Sequence, residues 1–159
     1  MITTEVNRTE DGQYINASSH TCHVLNHKVR NKIIIKAVCD LRKISDSFDS
    51  IVCCGTSGMM VVPQIAELLN KNITLVRKGE KCYSDFIVEG VAPFRYIIID
   101  DLICSGNTVR HIKNKIRDDF PRAICTGIYC YIPNETAYQP NEQGSKLCKR
   151  DLGIPLLNL

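Results

Sequence analysis

No apolar stretch in this chain approaches the ~18 residues that a bilayer span requires, so no membrane segment is expected. No run of lysine or arginine exceeds two residues, and the formal net charge is only +3. Nucleic-acid binders carry a basic patch or stripe, so the charge pattern argues against nucleic acid as the principal partner. The opening MITTEVNRTEDG lacks the apolar core of a secretory signal. There is no Cys-x-x-Cys pair, no internal repeat, no low-complexity tract and no composition break that would mark a linker.

What is present reads as one globular domain. Hydrophobic residues make up 44% and charged residues 23% of 159 positions, which is enough to build a core and too apolar for disorder. The nine cysteines are odd in number and irregularly spaced, and several lie inside apolar runs. A disulfide framework or a zinc knuckle needs regular spacing. These fit better as reduced core residues in a cytoplasmic setting.

Along the chain, residues 1–12 are polar and expected to fray. Residues 14–25 could form short strands or a hairpin. A helix is expected over about 29–44, where Ile33, Ile34, Ala37, Val38, Leu41 and Ile44 recur at helical spacing. Buried strands are expected at 51–54, 73–76, 96–99 and 123–132. Helices are expected at 60–69 and from about 109 to 120, the second carrying Val109, Ile112, Ile116 and Phe120 on one face. Residues 82–95 read as a mobile excursion. Strand and helix alternate, so the expected fold class is α/β, a mainly parallel twisted sheet with helices on both faces. Ligands of such sheets bind beyond the carboxyl ends of the strands.

Three polar segments follow strands directly and should open onto that one rim. The first begins with Asp100 and Asp101, which end a strand, and continues into Cys104-Ser105-Gly106-Asn107-Thr108. A small turn entering a helix presents backbone N–H groups and two hydroxyls, which suits a phosphate dianion. It is no Walker loop, since Gly-Lys-Ser/Thr is absent. A plain N-cap by Ser105 is the ordinary alternative. Adjacent carboxylates repel, so they suggest polyol hydroxyls or a divalent cation between them, or else one acid capping turn amides. The second segment is Cys54-Gly55-Thr56-Ser57-Gly58, which by itself could be any strand-to-helix turn. The third, Arg77-Lys78-Gly79-Glu80-Lys81, places three cations within five residues. It is either a solvated charge run or a receptor for developing negative charge.

The stretch Tyr96–Thr108, with apolar residues, two acids and a Ser-Gly-Asn-Thr turn, resembles the signature of the type I phosphoribosyltransferases. Gly55–Gly58 is similar to that family's pyrophosphate loop. Arg77-Lys78-x-x-Lys81 and Phe86-Ile87-Val88-Glu89-Gly90 resemble segments of its orotate-specific subgroup. The resemblance covers roughly residues 50–130. It implies transfer of ribose 5-phosphate from phosphoribosyl pyrophosphate to a nucleobase, with release of pyrophosphate, in nucleotide synthesis or salvage. It implies Mg²⁺ as cofactor, a homodimer, and a hood from about 12–28 and the C-terminal tail. Asp100 and Asp101 would then serve ribose and metal, and Cys104 through Thr108 the sugar phosphate. Thr56, Ser57, Gly58, Arg77 and Lys78 would serve pyrophosphate, with Lys81 catalytic on a mobile loop.

For the acceptor, the resemblance favours orotate. Hypoxanthine-guanine enzymes carry an aspartate where Cys104 stands, and their first motif acid is commonly Glu. Adenine or another purine is the alternative. A further alternative is a non-catalytic nucleotide- or RNA-binding regulator on the same fold, since Thr108-Val109-Arg110 is similar to pyrimidine-operon attenuator proteins. His20, Cys22, His23 and His27 have the chemistry of zinc ligands, but their irregular spacing fits a hood segment over the base better.

Overall fold

The computed structural model describes residues 6–8, 14–16, 21–79, 84–103, 105–132 and 153–157. Strand β1 (Val6–Arg8) pairs antiparallel with β2 (Tyr14–Asn16), so part of the expected frayed terminus belongs to a two-stranded sheet. A short helix α1 (Cys22–Leu25) leads into α2 (His27–Arg42). The latter starts earlier than its apolar spacing suggests because Asn26 caps it. The Asn26 side-chain oxygen accepts from the backbone N–H groups of Lys28 and Val29 at 2.9 and 3.2 Å.

The main sheet is built from β3 (Ser50–Cys54), β4 (Asn72–Val76), β5 (Val88–Gly90), β6 (Arg95–Asp100) and β7 (Ile124–Cys130). Its order is β5-β4-β3-β6-β7, parallel throughout except for β5, which runs antiparallel to β4. The central strands are continuous apolar runs because both faces are covered. Ile51, Cys53, Ile97 and Ile99 face α2 and α4 (Val62–Leu69), against Ala37, Leu41 and Ile65. Their alternate neighbours Val52, Cys54 and Ile98 face α5 (Asn107–Asp119), against Val109, Ile112 and Ile116. No disulfide joins cysteines among the described residues, and burial pushes the Cys53 and Cys54 thiols up to about 12 and about 11. No helix among the described residues is long and apolar enough to cross a membrane.

Three local expectations change. The helix expected over 60–69 starts two residues later, at Val62, because Pro63 lacks an N–H and is tolerated only in a helix's first turn. The Gly-Thr-Ser-Gly segment before it is itself helical, forming α3 (Gly55–Met59). Within 82–95, the described part contains β5 and is tied to the sheet rather than excursive. The tail also docks: Leu156 bridges Ile128 in parallel, lining the outer edge of β7.

Gly90 makes the β4–β5 pairing possible. Its φ is +122°, and a Cβ there would lie 2.3 Å from the Ile73 carbonyl oxygen. Gly90→Ala is therefore expected to destabilise the fold by roughly 2–4 kcal/mol. Gly79→Ala, where nothing lies within 4 Å of an added Cβ, should leave the urea midpoint nearly unchanged.

Candidate functional site

The chain leaves β3 for β4 on one side and returns to β6 on the other, so the connections diverge between β3 and β6. At such a switch point the carboxyl ends of neighbouring strands leave a crevice. A cavity of about 380 Å³ lies there, lined by Thr56 and Ser57 after β3, Lys78 after β4, Asp100 and Asp101 at the end of β6, and Ser105 to Thr108. The three rim segments thus converge on one volume.

Asp100 is only 6% exposed. Its Oδ1 accepts the backbone N–H of Asp101 at 3.0 Å, with the Ser57 hydroxyl at 3.5 Å. Burial, and then the adjacent Asp101, pushes the Asp100 carboxyl up to about 7, against a smaller downward pull from Lys78. It therefore keeps its proton to around neutral pH, which answers how two neighbouring acids share a buried strand end. Asp101 turns its Oδ1 to the Leu102 backbone N–H at 2.7 Å.

The turn before α5 differs from a simple serine cap. Gly106 occupies the N-cap position with φ 74° and no side-chain cap bond is made. The Ser105 hydroxyl instead lies 3.4 Å from the Asn107 N–H. Arg110, one turn into the helix, holds the loop from outside by donating to the Ser105 carbonyl at 2.9 Å and to Asn107 Oδ1 at 3.2 Å. N–H groups at this helix start and the Ser105 and Thr108 hydroxyls together offer donors to an anion.

Across the cavity, Gly55 has φ +76°, and a Cβ on it would lie 2.9 Å from Lys78 Cε. The lysine therefore passes directly over this glycine to reach the cavity. Gly58 is buried and does not line the cavity. A Cβ there would meet the Cys53 Cβ at 2.6 Å, so its smallness lets α3 lie against β3. Arg77 is also outside the lining. Its guanidinium pairs with Glu89 of β5 at 2.8 Å, while its carbonyl accepts from His111 Nε2 at 2.8 Å. Of two adjacent cations, one holds the sheet edge and the other faces the cavity.

Lys81 and Cys104 lie outside the described residues, as does His20. The cavity also includes Thr21, Leu102 and Ile103, which sequence reasoning did not single out. Leu102 and Ile103 read there only as spacers between the acids and the turn. Thr21 is distant in the chain and carries no local motif. Among the described residues, no group of three or more His, Cys, Asp or Glu side chains is placed to hold a metal ion. The Asp100–Asp101 pair offers two hard oxygen donors. That suits Mg²⁺, which binds through one or two carboxylates and takes its other ligands from water and substrate oxygens.

No protein-family model matches the sequence, and no curated protein matches it significantly. Solved structures do match. An orotate phosphoribosyltransferase of Francisella tularensis superposes with a TM-score of 0.65 at 14% identity, over 94% of this chain and 75% of that one. The UMP synthase of Leishmania donovani gives 0.68 at 16% identity, over 95% of this chain but only 31% of the longer one. An adenine phosphoribosyltransferase of Trypanosoma brucei gives 0.59 at 17%, over 84% of this chain and 64% of that one. At these identities the likeness speaks for architecture alone: this chain has the type I phosphoribosyltransferase fold, shared with solved orotate and adenine enzymes.

Proposed function

We propose that the protein is a phosphoribosyltransferase, moving ribose 5-phosphate from phosphoribosyl pyrophosphate to a nucleobase and releasing pyrophosphate. The observation that carries this reading is one cavity that joins an anion turn, an acid pair of which Asp100 is buried, and a lysine. The Trypanosoma brucei enzyme of the same fold was solved with AMP, pyrophosphate and ribose-5-phosphate, ligands of matching chemistry. Orotate is the first acceptor to test and adenine the second, since solved enzymes of both kinds share the architecture.

In this reading the bond from the anomeric carbon to the pyrophosphate oxygen breaks as a ring nitrogen of the base bonds to that carbon. Positive charge builds on the ribose ring and negative charge on the leaving group, as in glycoside cleavage. Ser105, Thr108 and the N–H groups at the start of α5 anchor the sugar phosphate. Asp100 and Asp101 receive the ribose hydroxyls and would hold Mg²⁺, which when bound neutralises pyrophosphate oxygens. Lys78, with Thr56 and Ser57, receives the departing pyrophosphate, and fixed charge placed there stabilises the transition state. Arg77 supports this from behind by holding β5 to β4. Lys81 is assigned to the same leaving group from the segment that follows, and the loop-sharing expected of relatives makes a homodimer part of the proposal.

The test is incubation with phosphoribosyl pyrophosphate, Mg²⁺ and each of orotate, uracil, adenine, hypoxanthine, guanine, xanthine and nicotinamide, followed by pyrophosphate assay. Release with one base is the expected result. Absence of both release and binding of the activated sugar would overturn the proposal. One observation favours a second reading: Arg110, Lys113 and Arg117 line a separate groove of about 390 Å³ along α5. A regulator that binds RNA there would show salt-dependent RNA affinity and no pyrophosphate release.

A further inference from the structure

We infer that Tyr131 is a positioning residue for this site, locking the loop after β3 to the acid pair after β6. Its consequence for turnover rests on the phosphoribosyltransferase reading, whereas its geometry does not. Tyr131 follows the last residue of β7, and its backbone N–H donates to the Asp100 carbonyl at 3.1 Å; that of Ile132 donates to the Asp101 carbonyl at 3.1 Å. The Tyr131 side chain turns the other way, under α3, where its hydroxyl donates to the Ser57 carbonyl at 3.0 Å. One residue therefore grips both halves of the cavity wall, the acids through its main chain and the loop through its side chain.

The hydroxyl is not needed for packing. Tyr131 is 5% exposed in the core shared by α2 and α4, where a phenylalanine ring would fill the same space. A buried hydroxyl is costly unless bonded, so its partner reveals its use. That partner belongs to a helix of only five residues, entered through a left-handed glycine and without a side-chain N-cap. Such an element has little internal means of fixing its orientation. Thr56 and Ser57 face the cavity from it, so a tilt of the Ser57 peptide displaces both hydroxyls.

The strand before it supplies a matched control. Tyr129, two residues earlier on the same face, is also buried, and its hydroxyl donates to Asp40 Oδ2 on α2 at 3.0 Å, outside the cavity lining. The experiment compares Tyr131→Phe with Tyr129→Phe by thermal unfolding, by hydrogen exchange of the ligand-free protein, and by kinetics in phosphoribosyl pyrophosphate. Both variants should unfold at somewhat lower temperature. Only Tyr131→Phe should speed exchange at the Met60 and Val61 amides, which close α3, by about tenfold, and lower kcat/KM for phosphoribosyl pyrophosphate by about tenfold to a hundredfold. The KM for the base should hold. Equal exchange at those amides in the two variants would overturn the inference. If the wild type transfers no phosphoribosyl group, the functional reading fails while the exchange comparison still decides the role of Tyr131.

Discussion

Asp100→Asn is expected to make the protein more stable at alkaline pH and inactive as a transferase. The Asp100 carboxyl sits near pH 7 in the fold, against 3.8 as its ordinary value. Between those two pH values the folded protein holds a proton that the unfolded chain has released. Native stability therefore falls as pH rises through that window and stays lower above it. The raised value makes the ionised Asp100 carboxylate a net cost to the native state at pH 8. Asparagine carries no charge to desolvate, and its carbonyl can still accept the Asp101 N–H. The variant should therefore melt several degrees higher than wild type at pH 8 and about equally at pH 4. Activity should fall by about a hundredfold or more, because an acid group facing the ribose hydroxyls is lost. Melting curves that run parallel from pH 4 to 9 for both proteins would remove the burial argument.

The second large effect concerns Lys78 and the glycine beneath it. Lys78→Gln should lower kcat/KM by about 10²–10³, as removal of a fixed charge from a developing anion does, with little change in stability. Gly55→Ala should reproduce much of that loss without touching the lysine. A methyl group there would lie 2.9 Å from Lys78 Cε, on a backbone at φ +76° that alanine resists. Because both changes act on one contact, the double variant should be little worse than Lys78→Gln alone. Additive losses in that cycle would show that Gly55 matters for α3 and not for placing the lysine.

The main architecture was legible because its signals are local. Ile51 to Cys54 and Tyr96 to Ile99 are continuous apolar runs, and α5 repeats Val109, Ile112 and Ile116 at helical spacing. Shorter elements were not legible in this way. Only Val88 is buried among the three residues of β5, and that strand exists through its pairing with β4. Gly-Thr-Ser-Gly reads as a turn, and becomes helical where Gly58 lets it settle on β3. Within the site, the residue types and their order were readable, but the division of labour between Arg77 and Lys78 was not. Neighbours in sequence with equal charge are separated only by the presence of Glu89 on β5.

By itself, then, the sequence determined an α/β chain whose strand ends carry an acid pair, a hydroxyl-rich turn and a set of cations. Those features follow from periodicity and residue chemistry, which act over a few positions. Tertiary structure alone decided that they meet in one cavity, that Thr21 joins them, that Asp100 holds its proton near neutrality, and that Tyr131 bonds to Ser57. Burial and electrostatic coupling depend on distance in space, and the residues concerned are brought together only when the sheet forms.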